Sequence, residues 1–320
     1  MRTGEATSTA GVEQFVADAR EYLTRRPRQM PSQYLYDALG SALFEAICRL
    51  PWYRITRVEM RMLAHEVSSA LPDDCRTLVE LGPGSGAKLR ALLSRYCPDS
   101  RPMTVHLIDV STTALGQAAH ALEQFRGIEV VAHEASYEQG LAAFAKSRGC
   151  GRALAMFLGS NIGNFAPAEA SDLVRRIRGA LTVGDGLLLG TDLVKPKERM
   201  LRAYNDPLGV TAAFNRNLLV RINMELGACL DVDSFAHRAL WNADEARVEM
   251  HLVSLQPQRI VIPAAGLDFF MPEGETIWTE SSYKYEPPEV TAMLESQSFS
   301  VSEQWVDEKD RFAISYAVAV

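Results

Sequence analysis

Between Thr77 and Thr191 short apolar runs alternate with amphipathic stretches, and this alternation leaves few folds open. Thr77–Leu81, Met103–Val110, Ile128–Ala132, Ala153–Gly159 and Gly186–Thr191 have the length and apolar content of strands buried on both faces. Between them, Ala87–Tyr96, Ser111–Gln124, Leu141–Lys146 and Pro167–Leu181 carry helical spacing. The pattern predicts an α/β fold with βαβ units and a doubly wound, mainly parallel sheet. The chain returns to this texture near its end. There Pro287–Gln297 reads as a helix, and Ser298–Asp307 and Arg311–Val320 read as strands.

The flanking segments differ. Gly11–Arg25 puts Val12, Phe15, Val16, Ala19 and Leu23 on one helical face, and Pro27 and Pro31 then break the pattern. Further helices are predicted over Asp37–Leu50, ended by Pro51, and over Thr56–Leu71. After Lys195 the alternation stops: 196–223 is mainly helical, and Arg247–Ser254 and Gln258–Ile262 read as antiparallel strands. A chain of 320 residues has room for two domains. The expected division is an α/β domain of 58–194 with 285–320, and a discontinuous α+β domain of 1–57 with 195–284.

Composition excludes several classes. A formal charge of −7 argues against nucleic acid as a partner, and a run such as Arg25, Arg26 and Arg28 is too short to track a duplex. Cys48, Cys75, Cys97, Cys150 and Cys229 show neither a disulfide framework nor zinc spacing, and are read as small buried hydrophobes in a reducing compartment. The six histidines form no H-E-x-x-H pair, so no metal site is expected. Met1–Ala10 lacks an apolar core of the signal-peptide kind, and no apolar run is long enough to span a bilayer. A cytoplasmic protein is expected, with no membrane partner.

The chemistry is concentrated in Glu80-Leu-Gly82-Pro-Gly84-Ser-Gly86-Ala-Lys88, which follows the first strand and opens a helix. Glycines allow unusual dihedrals there and let a ligand approach the backbone. Glu80 ends the strand, and Asp109 ends the next one, 23 residues beyond Gly86, where a carboxylate can accept ribose hydroxyls. A P-loop needs Gly-Lys-Ser/Thr, whereas Ala87 and Leu89 flank Lys88 here. A nicotinamide fold favours G-x-G-x-x-G. The spacing here is G-x-G-x-G, that of class I methyltransferases; a turn with no ligand is the remaining alternative. A methyl donor needs no phosphate cradle, because its methyl group is already activated and the protein has only to align it. No nucleophile elbow surrounds Ser85 or Ser160.

Phe157-Leu-Gly-Ser-Asn-Ile-Gly-Asn164, Leu189-Gly-Thr-Asp-Leu-Val-Lys195, Arg202-Ala-Tyr204 and Gly209-Val-Thr-Ala-Ala-Phe-Asn-Arg216 resemble the histidine-specific Nα-methyltransferases of ergothioneine biosynthesis. Trp241-Asn242, Glu249-Met250, Thr279-Glu-Ser-Ser-Tyr-Lys284, Tyr36-Asp-Ala-Leu-Gly-Ser41, Leu50-Pro51, Tyr53 and Thr56-Arg57 extend the resemblance along nearly the whole chain. That family converts L-histidine to the betaine hercynine by three methylations of one nitrogen, using S-adenosyl-L-methionine. The resemblance implies cofactor contacts from Glu80, Gly82, Gly84, Gly86, Lys88, Asp109, Ser136 and Tyr137. It implies an amino-acid pocket from Tyr53, Asn164, Tyr204, Met250, Glu280 and Ser282. Asn164 and Tyr204 would hold the amine and carboxylate, Glu280 and Ser282 the imidazole, and Met250 would line the ring's pocket. Tyr36 or Tyr53 would accept or orient a proton, a task a water chain can also perform.

Plainer readings stand beside these. The tyrosines can be packed aromatics, Glu280 can pair with Lys284, and Asn164 can cap the following helix. Asn161 stands where the family commonly has Thr, and Ser136-Tyr137 where it has Asp-Phe; Glu134 or Glu138 could then serve the adenine. Arg54-Ile55 and Tyr283 also depart from the family's pattern. The expectation is a monomer acting on histidine. Another amino acid, such as an indole one, and a catalytically silent cofactor-binding module are the alternatives.

Overall fold

The computed structural model describes residues 9–67, 72, 74–96, 102–149 and 151–320. Residues 1–8, the expected end of the third helix at Leu71, and the thiols of Cys97 and Cys150 lie outside them. The chain divides into two compact units. One holds the residues up to Tyr53 with Lys197–Ser282; the other holds Arg54–Pro196 with Tyr283–Val320.

The first unit begins with helix α1 (Thr9–Tyr22), a short strand β1 (Arg28–Gln29) and helix α2 (Ala38–Arg49). Asp37 caps α2 by accepting the Gly40 N–H at 2.7 Å.

The second unit follows with α3 (Ile55–His65), β2 (Cys75–Leu81), α4 (Ala87–Tyr96), β3 (Met103–Asp109) and α5 (Thr112–Leu122). It continues through β4 (Ile128–Glu134), α6 (Tyr137–Ser147), β5 (Arg152–Phe157), α7 (Pro167–Ala180) and β6 (Gly186–Asp192). Every residue of β6 is buried, as expected of a strand covered on both faces.

The chain then returns to the first unit with α8 (Lys197–Tyr204) and α9 (Val210–Leu226). The sequence suggested one mainly helical stretch here. It is interrupted around Pro207, where the Asp206 carboxylate takes the N–H groups of Leu208, Val210 and Thr211 and so starts a second helix. Next come β7 (Phe235–Asn242), β8 (Arg247–Ser254), β9 (Gln258–Ile262), β10 (Leu267–Met271) and β11 (Thr276–Tyr283). A four-stranded sheet runs β1-β11-β8-β7, with β9 and β10 forming a separate hairpin. Asn215 on α9 bonds the His251 carbonyl and receives the Thr279 hydroxyl at 2.6 Å, which pins the helix to this sheet.

The second unit closes with α10 (Pro287–Ser296), β12 (Phe299–Asp307) and β13 (Phe312–Ala319). Its seven-stranded sheet has the order β12-β13-β6-β5-β2-β3-β4. The five strands from β2 to β6 are parallel to one another, while β13 is antiparallel to both β6 and β12. Strand order reverses at β2: the next two strands are added on one side, β5 and β6 on the other. The carboxyl ends of β2 and β5 therefore bracket the switch point, where doubly wound sheets bind ligands.

One stacked histidine pair in this unit has a measurable consequence. His106 on β3, 1% exposed, stacks on His133 of β4 with Nδ1 2.9 Å from its neighbour's Nε2, and meets the edge of Phe144. Burial, then the neighbouring imidazole, pulls the His106 pKa down from 6.5 to about 4. The unfolded chain takes up this proton as pH falls below about 6.5 while the folded chain does not, so stability is full above that pH and falls toward pH 4. Urea unfolding at pH 7 and pH 5 should show a loss on the order of 1 kcal/mol, smaller in His106→Phe. Equal losses in both proteins would rule the pair out.

Candidate active site

The turn after β2 is built around conformations that L side chains avoid: Gly82, Gly84 and Gly86 have φ of 70°, 54° and 70°. At Gly82 a Cβ would stand 2.8 Å from the Tyr137 hydroxyl and 3.0 Å from Asn161 Nδ2, so these two polar ends face bare backbone. At Gly86 it would strike the Ala118 Cα at 2.8 Å, so that glycine serves packing between α4 and α5.

Glu80, at the end of β2, is fully buried with neither carboxylate oxygen hydrogen-bonded. Desolvation raises its pKa to about 8; Lys88 opposes the shift, and Glu59 and Asp109 add to it. Asp109, also raised by burial, accepts the Ser111 N–H at 2.9 Å. Lys88, Glu59 and Asp109 thus all lie close enough to act on Glu80. An orphaned acid, a bare glycine turn and surplus negative charge fit a cationic ligand with hydroxyls, and nothing here resembles a phosphate cradle. Tyr137 is packed edge-on against Phe157, and its hydroxyl is held neutral by burial and then by Asp109 and Glu80. Ser136 is exposed and its Oγ accepts the Gln139 N–H at 3.3 Å, so the hydroxyl is engaged at the start of α6. Of the two acids suggested as adenine partners, Glu138 is tied to Arg176 on the surface and Glu134 is exposed.

The turn after β5 is anchored by a residue the sequence reading passed over. Glu59 lies on the buried face of α3 with Ile55, Val58, Met62 and Leu63. Its two oxygens accept the Gly159 N–H at 2.7 and 2.8 Å, and Lys88 Nζ lies 3.3 Å away. An acid on the apolar stripe of an amphipathic helix was the available signal. Beyond Gly159 the chain forms a short 3-10 turn, Asn161–Asn164. Asn164 is half-buried, and the cap of α7 is Ala166, whose N–H goes to Glu169 at 3.0 Å. Asn164 therefore does not cap that helix.

In the first unit Tyr53, Tyr204, Met250, Glu280 and Ser282 are all buried. Tyr204 donates its hydroxyl to Ser282 Oγ at 2.8 Å, and its ring meets Tyr53 edge-on at 6.3 Å. The Tyr53 hydroxyl is pushed well above its usual range by burial, and further by Tyr204, Cys48, Tyr36 and Glu280. The structure thus brings Tyr53, Tyr204, Ser282, Glu280 and Tyr36 into one neighbourhood. Tyr36 is half-buried and packs edge-on against Phe44 and Phe214. Glu280 follows Trp278, whose indole N–H donates to the Glu280 carbonyl at 2.9 Å. Met250 lies in β8, where its carbonyl receives the Thr279 hydroxyl at 3.0 Å. Lys284, with its side chain fully buried, lies 3.1 Å from Asp192, so it is not the solvated lysine that a surface pair would need. Among the described residues no His, Cys, Asp and Glu cluster could hold a metal, and no helix is long and apolar enough to cross a membrane.

A glycine turn at the strand-order reversal of a mainly parallel sheet closed by an antiparallel strand is the arrangement of class I methyltransferases, which use S-adenosyl-L-methionine; this protein is one of them. The family of histidine-specific, SAM-dependent methyltransferases matches residues 15–319, and the chain belongs to it. It is 40% identical to the histidine N-alpha-methyltransferase of Mycolicibacterium smegmatis over 313 residues, 97% of this chain and 96% of that one. Against the histidine N-alpha-methyltransferase of Mycobacterium tuberculosis it is 40% identical over 304 residues, covering 94% and 93%. Among solved structures, an O-methyltransferase family protein from Burkholderia thailandensis matches with a TM-score of 0.48 at 13% identity, covering 99% of this chain and 74% of that one.

Proposed function

We propose that this enzyme methylates the α-amino nitrogen of L-histidine three times, giving hercynine, the opening step of ergothioneine biosynthesis. The observation that carries this reading is the 40% identity to a histidine N-alpha-methyltransferase along 97% of the chain. The buried polar group of the first unit supports it. An imidazole offers two nitrogens, and the Glu280 carboxylate with the Ser282 hydroxyl can serve both, in the neutral or the charged ring. Left without that partner, a buried carboxylate costs several kcal/mol, so such a pocket discriminates against apolar rings.

The donor falls to Gly82 and Gly84 with Glu80, Lys88, Asp109 and Tyr137, while Gly86 shapes the turn through its packing on Ala118. Bound there, S-adenosyl-L-methionine supplies a methyl group activated by its sulfonium. Everything else is alignment. Glu80, raised to about 8 by burial, would hold the donor's polar groups from the end of β2, and a positive charge placed nearby would favour its ionised form. The acceptor amine attacks only when neutral, and a free α-amino group with a pKa near ~8 loses its proton readily once desolvated. Tyr53 stays a neutral phenol, which suits it to orient the amine rather than to abstract a proton. Tyr36 is the second candidate for that orienting contact. Tyr204 and Asn164 are assigned to the carboxylate and amine, and Met250 to the ring's surroundings. By the third transfer the neutral amine has no N–H left to donate, so the ring and carboxylate contacts must keep the nitrogen in register.

We read the chain as a cytoplasmic monomer with no nucleic-acid partner, in keeping with its formal charge of −7. The species isolated by size exclusion with light scattering, expected to be one chain, should be incubated with the donor and each protein amino acid. Mass gains of one to three methyl groups are expected on histidine alone. A gain on tryptophan instead would move the assignment to an indole substrate, and no gain on any amino acid would favour a silent module.

A further inference from the structure

Glu59 is 0% exposed, and its carboxylate bonds the main chain of the turn after β5. Room for it was made below: a Cβ on Gly190 of β6 would stand 2.0 Å from Glu59 Oε1. Both of its oxygens hold the Gly159 N–H, and the Lys88 ammonium faces the same carboxylate at 3.3 Å. Two further ties fix the turn. Ser160, in the left-handed region at φ 59°, accepts the Asp192 N–H at 2.9 Å through Oγ. Gly163 passes so close to Tyr283 that a Cβ would stand 2.7 Å from its carbonyl oxygen.

Between these ties sits Asn161. Its Nδ2 would be 3.0 Å from a Cβ on Gly82, and its Oδ1 3.4 Å from one on Gly159. The Asn161 amide therefore spans the two glycine turns at the switch point, with Lys88 Nζ beside the same Gly159 position at 2.7 Å. Resting on the assignment of the Gly82 turn to the methyl donor, we propose that Glu59 is a positioning residue for that donor: by gripping Gly159 and Lys88 it holds Asn161 against the Gly82 backbone. A buried carboxylate accepting one N–H through both oxygens defines the turn more tightly than a neutral acceptor would.

Glu59→Gln keeps the volume and one acceptor but removes the second oxygen and the charge. Calorimetry should compare this variant with the unaltered enzyme for S-adenosylmethionine and for S-adenosylhomocysteine, whose sulfur is uncharged. Positioning predicts that both bind about tenfold more weakly, with kcat on histidine reduced and the histidine KM within about twofold. A loss confined to the cationic donor means that Glu59 acts only through its charge, and overturns the proposal. So does a lowered melting temperature with unchanged dissociation constants, the mark of a purely structural role. If the variant does not fold, hydrogen exchange on the unaltered enzyme decides: S-adenosylhomocysteine should slow exchange in a peptide spanning 157–165, and no change there overturns the proposal. Failure of the unaltered enzyme to bind either compound would instead sink the donor site itself.

Discussion

Glu280→Ala is expected to lower kcat/KM for histidine on the order of a hundredfold or more while leaving the S-adenosylhomocysteine dissociation constant within about twofold. Glu280 is 9% exposed and belongs to a different compact unit from the glycine turn, so its loss should fall on the acceptor alone. Glu280→Gln, which retains hydrogen-bonding ends but no charge, should fall between. The comparison is made by steady-state kinetics beside calorimetry. Equal losses of turnover and donor affinity would take Glu280 out of the ring pocket.

The opposite signature is expected at the turn. Gly82→Ala forces a side chain into φ 70° and sets its Cβ 2.8 Å from the Tyr137 hydroxyl. The strain costs on the order of 1–3 kcal/mol, and the methyl group occupies the bare backbone that a donor needs. Donor affinity should fall about thirtyfold or more, with the fold retained, because the new methyl meets side-chain ends and no main chain. Gly86→Ala should instead lower the melting temperature, since what it meets is the Ala118 main chain at 2.8 Å. If Gly82→Ala binds S-adenosylhomocysteine normally, the turn does not hold the donor.

Much of the second unit was legible because parallel strands buried on both faces read as short apolar runs, and helix signals such as Pro167 mark their boundaries. The first unit was harder. Phe235–Asn242 mixes His237, Arg238 and Asn242 with apolar residues and shows no clean alternation, so β7 went unrecognised until its pairing with β8 was seen. Leu267–Met271 gains its meaning only from β9. For the candidate site, the glycine turn and the strand-end acids follow from local spacing. Grouping Tyr53, Tyr204, Glu280 and Ser282 rested on resemblance, because no local pattern links positions that far apart. Glu59 illustrates the limit: its bonded partner lies 100 residues away, and only coordinates connect them.

The place of β13 governs when the larger sheet can be completed. β6 offers an all-buried strand whose second neighbour is not synthesised until the 197–282 stretch has left the ribosome. A nascent chain stopped before residue 299 carries an open apolar edge, the kind that recruits other chains or holdase chaperones. Sealing that edge couples the maturation of the cofactor lobe to the prior passage of its companion, so slow translation through the middle of the message should raise the risk of aggregation.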